Sequence, residues 1–179
     1  GKLEGKLRLV MVAQQAGPVA SRQGPQIVAD CSLEETPPLD LLLAPGGLGV
    51  DAQCQNAPLL DWLRERAKVA EIVMSVCTGS ALLAAAGLLD GRRATSNKRR
   101  FSLAVAHGPR VDWVKTARFV DDGDRVTSSG VSAGIDMSLH VIARLYGDET
   151  AQWVADVAEY AWTDAQRDGG FDPFARFLS

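Results

Sequence analysis

Two kinds of apolar segment alternate along this chain. Leu7 to Val12, Leu39 to Leu43 and Glu71 to Val76 are short β-branched or leucine runs, with the length and continuity of strands buried on both faces. Between and after them the apolar spacing lengthens to a helical period. Leu59, Leu60, Leu63 and Ala67 fall on one helical face, and Ala81 to Leu89 is apolar nearly all round, which predicts a buried helix. A further helix is predicted over Ser132 to Tyr146, carrying Ile135, Leu139, Ile142, Ala143 and Leu145. Another runs from Asp148 to about Trp162, with Trp153, Val157 and Tyr160 on its apolar side. Pro37-Pro38 precedes one strand and Ala44-Pro45-Gly46-Gly47 closes it, while Asp122-Gly123 between Arg118-Phe119-Val120 and Arg125-Val126-Thr127 predicts a hairpin. Alternating strands and helices predict an α/β domain with a mostly parallel sheet covered on both faces.

No repeat or linker interrupts this pattern, so residues 1–179 read as one domain. The Gly- and Asp-rich stretch from about 165 to 179, with Phe171, Phe174 and Phe177, reads as an irregular arm that docks its aromatics on the domain or on a partner subunit. Charge narrows the partners. Nineteen basic and 22 acidic side chains give a net charge of -3, which argues against nucleic acid or an anionic membrane surface. Lys98-Arg99-Arg100, with Arg92 and Arg93 upstream, is the one basic cluster and reads as a solvated face. No apolar run has spanning length and no signal-peptide core opens the chain; three widely spaced cysteines make neither a disulfide framework nor a zinc site. The expectation is a cytoplasmic protein without membrane attachment.

The segment that carries chemistry is Glu71-Ile72-Val73-Met74-Ser75-Val76-Cys77-Thr78-Gly79-Ser80. A buried strand runs straight into one cysteine, followed by small residues and a buried helix, the layout of a nucleophile elbow. At a helix N-terminus the unpaired N–H groups and the macrodipole favour the thiolate, which is the reactive form. One βα unit earlier, Gly46, Gly47 and Gly49 follow a strand directly, so their amides can approach a bound substrate as part of an oxyanion hole. Val126 to Asp136 again ends a strand in small residues, placing Ser129 and Gly130 at the same sheet edge, where open α/β sheets bind ligands. Helix capping by Ser132 accounts equally well for part of that segment. Cys31, ending a short apolar strand, and Cys54, in a polar loop, have no comparable setting. His107 and His140 read as structural histidines.

Ala44-Pro45-Gly46-Gly47-Leu48-Gly49, Ser75-Val76-Cys77-Thr78-Gly79-Ser80, Ala85 to Thr95 and Gly130-Val131-Ser132-Ala133-Gly134-Ile135-Asp136 resemble, in order, the motifs of the ThiJ/PfpI superfamily, which is class I glutamine amidotransferase-like. The resemblance runs from about Leu7 to Tyr160 and is nearest to the isocyanide hydratase branch, related to domains of AraC-type regulators. It implies a flavodoxin-like three-layer α/β sandwich, usually a homodimer, with Cys77 as nucleophile, Thr78 beside it, a small-molecule substrate, and no cofactor or metal. Two departures stand out. The family's first strand-helix unit, whose Asp or Glu hydrogen-bonds the cysteine, has no counterpart here, and Glu4 is not its equivalent. The branch's histidine is Asn97 in this chain. The resemblance therefore implies a cysteine-nucleophile enzyme like isocyanide hydratase or, alternatively, a non-catalytic ligand- or redox-sensing protein. A homodimer is expected, with the two helices after Ser132 and the aromatic arm as contact elements, and Trp62, Trp113, Trp153 and Trp162 as aromatics outside the site.

Overall fold

The structure, a computed structural model, describes residues 7–21 and 24–162; the arm expected at about 165–179 lies outside them. The contacts divide the chain into two compact units, residues 1–39 and 40–179.

In the first unit, β1 (Val12–Ala13) pairs in parallel with β4 (Cys31–Ser32), and β2 (Gly17–Ala20) forms an antiparallel hairpin with β3 (Gln26–Ala29). Met11 and Asp30 fasten the strand ends: the Met11 amide donates to the Asp30 carboxylate and the Asp30 amide donates back to the Met11 carbonyl, both at 2.7 Å. The strand expected over Leu7 to Val12 shrinks to its last residue and Ala13. Leu7 and Leu9 are exposed, and an apolar run without a ladder partner has nothing to define it as a strand.

The second unit carries β5 (Leu41–Ala44), α1 (Val50–Gln53), α2 (Ala57–Ala67), β6 (Ile72–Val76), α3 (Gly79–Ala85), β7 (Arg93–Ala94), a 3₁₀ turn over Lys98–Arg100, α4 (Phe101–His107), β8 (Asp112–Trp113), β9 (Phe119–Asp121), β10 (Arg125–Ser128), α5 (Val131–Tyr146) and α6 (Asp148–Val157). Its main sheet has the order β5-β6-β10-β9, parallel except for β9, with β7 and β8 forming a small parallel pair. The Asp122-Gly123 hairpin is present, and Gly123 adopts the left-handed φ of +81° that its turn requires. This is a flavodoxin-like α/β arrangement. Helices α1, α2 and α4 gather on α3, and α6 packs on α5.

One core cluster joins Ile72 and Met74 of β6, Phe119 and Val126 to Met137 and Val141 of α5. Gly134 lets α5 approach β6 closely, because a Cβ there would sit 3.0 Å from both methyls of Val76. Strand β6 is buried on both faces as expected, but β5 is not. It is one of the two edge strands of this four-stranded sheet, and Leu43 stays 46% exposed. The helix expected over Ala81 to Leu89 begins at Gly79 and stops at Ala85, since Gly87 turns left-handed (φ +75°) and the Leu88 amide reaches back to the Leu83 carbonyl. Beyond Val157, Glu159 is left-handed and Tyr160 turns back to hydrogen-bond Asp136, so α6 ends before Trp162.

Candidate functional site

Strands β5, β6 and β10 end flush. Ala44 pairs with Ser75 and Ser128 with Val76, so the loops after all three leave from one sheet edge. The Cys77 amide continues the ladder by one residue, donating to the Ser128 carbonyl at 3.1 Å. There the backbone turns abruptly: Cys77 has φ +60°. A side chain in this left-handed region costs about 1–2 kcal/mol, so neighbouring structure must hold it.

Three donors do so. The Cys77 carbonyl accepts from the Ser80 hydroxyl at 3.3 Å, the Ser96 hydroxyl at 3.2 Å and the Asn97 amide at 3.4 Å. Two glycines make room. A Cβ on Gly46 would fall 2.7 Å from both the Cys77 Cβ and the Thr78 nitrogen, and one on Gly79 only 2.1 Å from the Ala44 carbonyl oxygen. The loop after β5 therefore lies against the elbow. Thr78 fastens it: its hydroxyl accepts the Gly47 amide at 3.0 Å and donates to the Gly47 carbonyl at 3.2 Å. Cys77 is half-buried and free of any disulfide, whereas Thr78 is buried.

Gly46, Gly47, Cys77 and Thr78 thus come together as the sequence expects, with one correction of role. The Gly47 amide is directed at Thr78 Oγ1 and not outward, because the threonine hydroxyl is the nearer acceptor. Ser129 and Gly130 follow Ser128 at the same edge, both half-buried; the Ser129 amide donates to the Arg118 carbonyl at 2.9 Å. Gly49 precedes α1 and has nothing within 4 Å of where a Cβ would sit, so no close approach requires it. Ser132 caps nothing: α5 begins at Val131 with Gly130 as its extended N-cap and no side-chain cap bond.

The remaining candidates lie elsewhere. The His140 imidazole is buried and meets the Asp121 carboxylate at 2.6 Å, with Arg144 at 3.0 Å from the same group. Burial pushes the Asp121 carboxyl up, but hydrogen bonds from His140 and the Gly123 amide and the charge of Arg144 outweigh it and leave it below the usual range. Asp121 is level with Val126, two residues before the Ser128 edge, so this pair belongs to the sheet and not to the elbow. His107 is the last residue of α4. Cys54 is not a solvated loop residue. It caps α1 from inside the core, where burial, helped by the Asp51 charge, pushes its thiol up to about 11. Asn97 Oδ1 accepts the amides of Arg99 and Arg100 and caps the 3₁₀ turn. Ser80 and Ser96 were not singled out from sequence; the signal available was a polar small residue directly after a buried strand or elbow. Among the described residues no three His, Cys, Asp or Glu side chains gather to hold a metal ion, and no helix is long and apolar enough to cross a membrane.

Known proteins share this arrangement. The chain is 41% identical over 146 residues to the isonitrile hydratase of Pseudomonas putida, covering 80% of itself and 62% of that protein. It is 33% identical over 146 residues to the HTH-type transcriptional regulator CdhR of Pseudomonas aeruginosa, covering 82% of itself and 43% of the regulator. The chain thus spans under two thirds of each. Among solved structures, a ThiJ/PfpI family protein from Pseudomonas syringae superposes with a TM-score of 0.76 at 33% identity, over 94% of this chain and 66% of the other. Drosophila melanogaster DJ-1beta superposes with a TM-score of 0.70 at 26% identity, over 82% and 79%. Residues 2–144 match the DJ-1/PfpI family profile, and with the strained cysteine at the strand end and the glycine loop against it, the chain belongs to the DJ-1/PfpI family.

Proposed function

We propose that this chain is a cysteine-nucleophile enzyme that hydrates isocyanides. The observation that carries the reading is the left-handed Cys77 at the end of β6, held by three donors to its carbonyl. Strain of this kind persists where a side chain must be presented at a fixed angle. The Cys77 thiolate adds to the terminal carbon of R–N≡C, and that carbon takes a proton from solvent, giving the thioimidate R–N=CH–S–Cys. Water then adds to the same carbon. The C–S bond breaks, the thiolate returns, and R–NH–CHO leaves, so the net reaction consumes one isocyanide and one water. Gly46 packs against Cys77 and the Thr78 nitrogen, and the amides of Gly46 and Thr78 are the donors assigned to developing charge, while Gly47 serves to lock the loop through Thr78. Ser129 and Gly130 form the neighbouring wall. Kinship with the isonitrile hydratase supports the substrate class. Cys77→Ala abolishes formamide formation from cyclohexyl isocyanide while preserving the melting temperature; unchanged turnover refutes the mechanism.

A second reading, a non-catalytic ligand or redox sensor, is favoured by Asn97, whose side-chain oxygen is engaged in capping where the branch has a histidine, and by kinship with the regulator. Selective gain of oxygen at Cys77 after mild peroxide, together with no isocyanide hydration, supports this reading, and equal oxidation of all three cysteines counts against it. A homodimer is part of either reading. Val131, Ile135 and Val157 expose apolar side chains on α5 and α6, whereas Trp113 is engaged internally through Phe101 and the Gly108 carbonyl. Light scattering that returns the mass of one 19.1 kDa chain refutes the dimer.

A further inference from the structure

The Lys98-Arg99-Arg100 cluster, expected as a solvated face, is divided by the fold. Lys98 retains only 6% exposure. Its ammonium donates to Thr95 Oγ1 at 2.9 Å and the Ala117 carbonyl at 2.5 Å, and lies 5.8 Å from the centre of the Phe101 ring. Arg100 turns the other way, toward Asp51 at 3.8 Å. Arg99 stays exposed, and Lys115 comes up beside it from the segment after β8. Between them lies a groove of about 510 Å³, floored by Phe101, Val105 and Ala106 of α4.

The two rim cations differ from some of their neighbours. Arg92 pairs with Asp124 at 2.7 Å, and Arg110 with Asp90. Among the described residues, no carboxylate pairs with Arg99 or Lys115. A chain of net charge -3 therefore places two cations, Arg99 and Lys115, at the rim of one groove with an apolar floor. Apolar walls with low dielectric sharpen such a field.

We propose that this groove binds a small organic anion with a flat apolar body: the acidic head between Arg99 and Lys115, the body against Phe101 and Val105. Lys98 also lines the groove, but its ammonium is engaged by Thr95 and the Ala117 carbonyl, so the head group is left to Arg99 and Lys115. The site involves neither Cys77 nor its loops, so it stands or falls independently of the proposed reaction.

The test is a fluorescence titration of the full chain with 1-anilinonaphthalene-8-sulfonate, alongside its uncharged parent N-phenyl-1-naphthylamine. The expected result is saturable binding of the sulfonate at one site, with the neutral probe weaker by at least about tenfold. Arg99→Glu combined with Lys115→Glu weakens the sulfonate by at least about tenfold, as does Val105→Asp, at a residue already 42% exposed. Lys68→Glu, 65% exposed on α2, leaves binding unchanged. Equal binding of the two probes, no saturable binding, or undiminished sulfonate affinity in the charge-reversed protein overturns the proposal.

Discussion

At the β6–α3 junction the chain reverses at a single residue, Cys77, in a conformation that side chains avoid. At the neighbouring β10–α5 junction it passes through Ser129 and an extended Gly130, with no side-chain cap. The backbone of the first junction is clamped: a glycine against the cysteine, a second against β5, and three donors on one carbonyl. The second is open, with nothing within 4 Å of a Cβ built on Gly130. Both read alike in sequence, as a strand ending in small residues before a buried helix. Their difference separates presenting a reactive group, which needs strain and clamps, from leaving room beside it.

The largest expected effect tests that contrast directly. Gly79→Ala should lose about 3 kcal/mol or more in urea unfolding, because its methyl would overlap the Ala44 carbonyl, which is backbone and cannot rotate away. Gly130→Ala should lose less than about 1 kcal/mol. Similar losses at the two sites would break the comparison. Next, Cys77→Gly should be more stable than Cys77→Ala by about 1 kcal/mol, since alanine keeps the left-handed strain and glycine relieves it. Equal melting would mean that the clamps, and not the residue type, set the conformation at no cost. Ser96→Ala should lose about 1 kcal/mol, one hydrogen bond of the three on the Cys77 carbonyl. The smallest effect belongs to the open junction: Ser132→Ala should stay within about 0.5 kcal/mol, because its hydroxyl caps nothing.

The sheet was legible wherever local pattern and partner agreed. The β-branched run at β6 and the Asp-Gly turn between β9 and β10 carry their structure in adjacent residues. Leu7 to Val12 has the same look but lacks ladder partners, and pairing is a non-local property. The elbow itself was legible from the strand, cysteine and glycine order. The left-handed φ of Cys77 was not, because part of what holds it comes from Ser96 and Asn97, 19 and 20 positions away. Thr78 was expected as the neighbour of the nucleophile; its hydroxyl's capture of the Gly47 amide depends on a loop 31 positions earlier. The burial of Cys54 was hidden by its polar neighbours in sequence, since α1 is a single short turn whose one buried face shows no period.

That burial gives the molecule an internal gauge of its own integrity. With its thiol pushed up to about 11, Cys54 is essentially inert to alkylating reagents at neutral pH while the core is intact. In an opened chain the thiol returns to the ordinary value of about 8.5, and its thiolate fraction rises by roughly two to three orders of magnitude. Half-buried Cys77 and buried Cys54 therefore report different events in one labelling experiment. Modification at Cys77 reads the accessibility of the elbow, and modification at Cys54 marks the fraction of molecules whose core has opened.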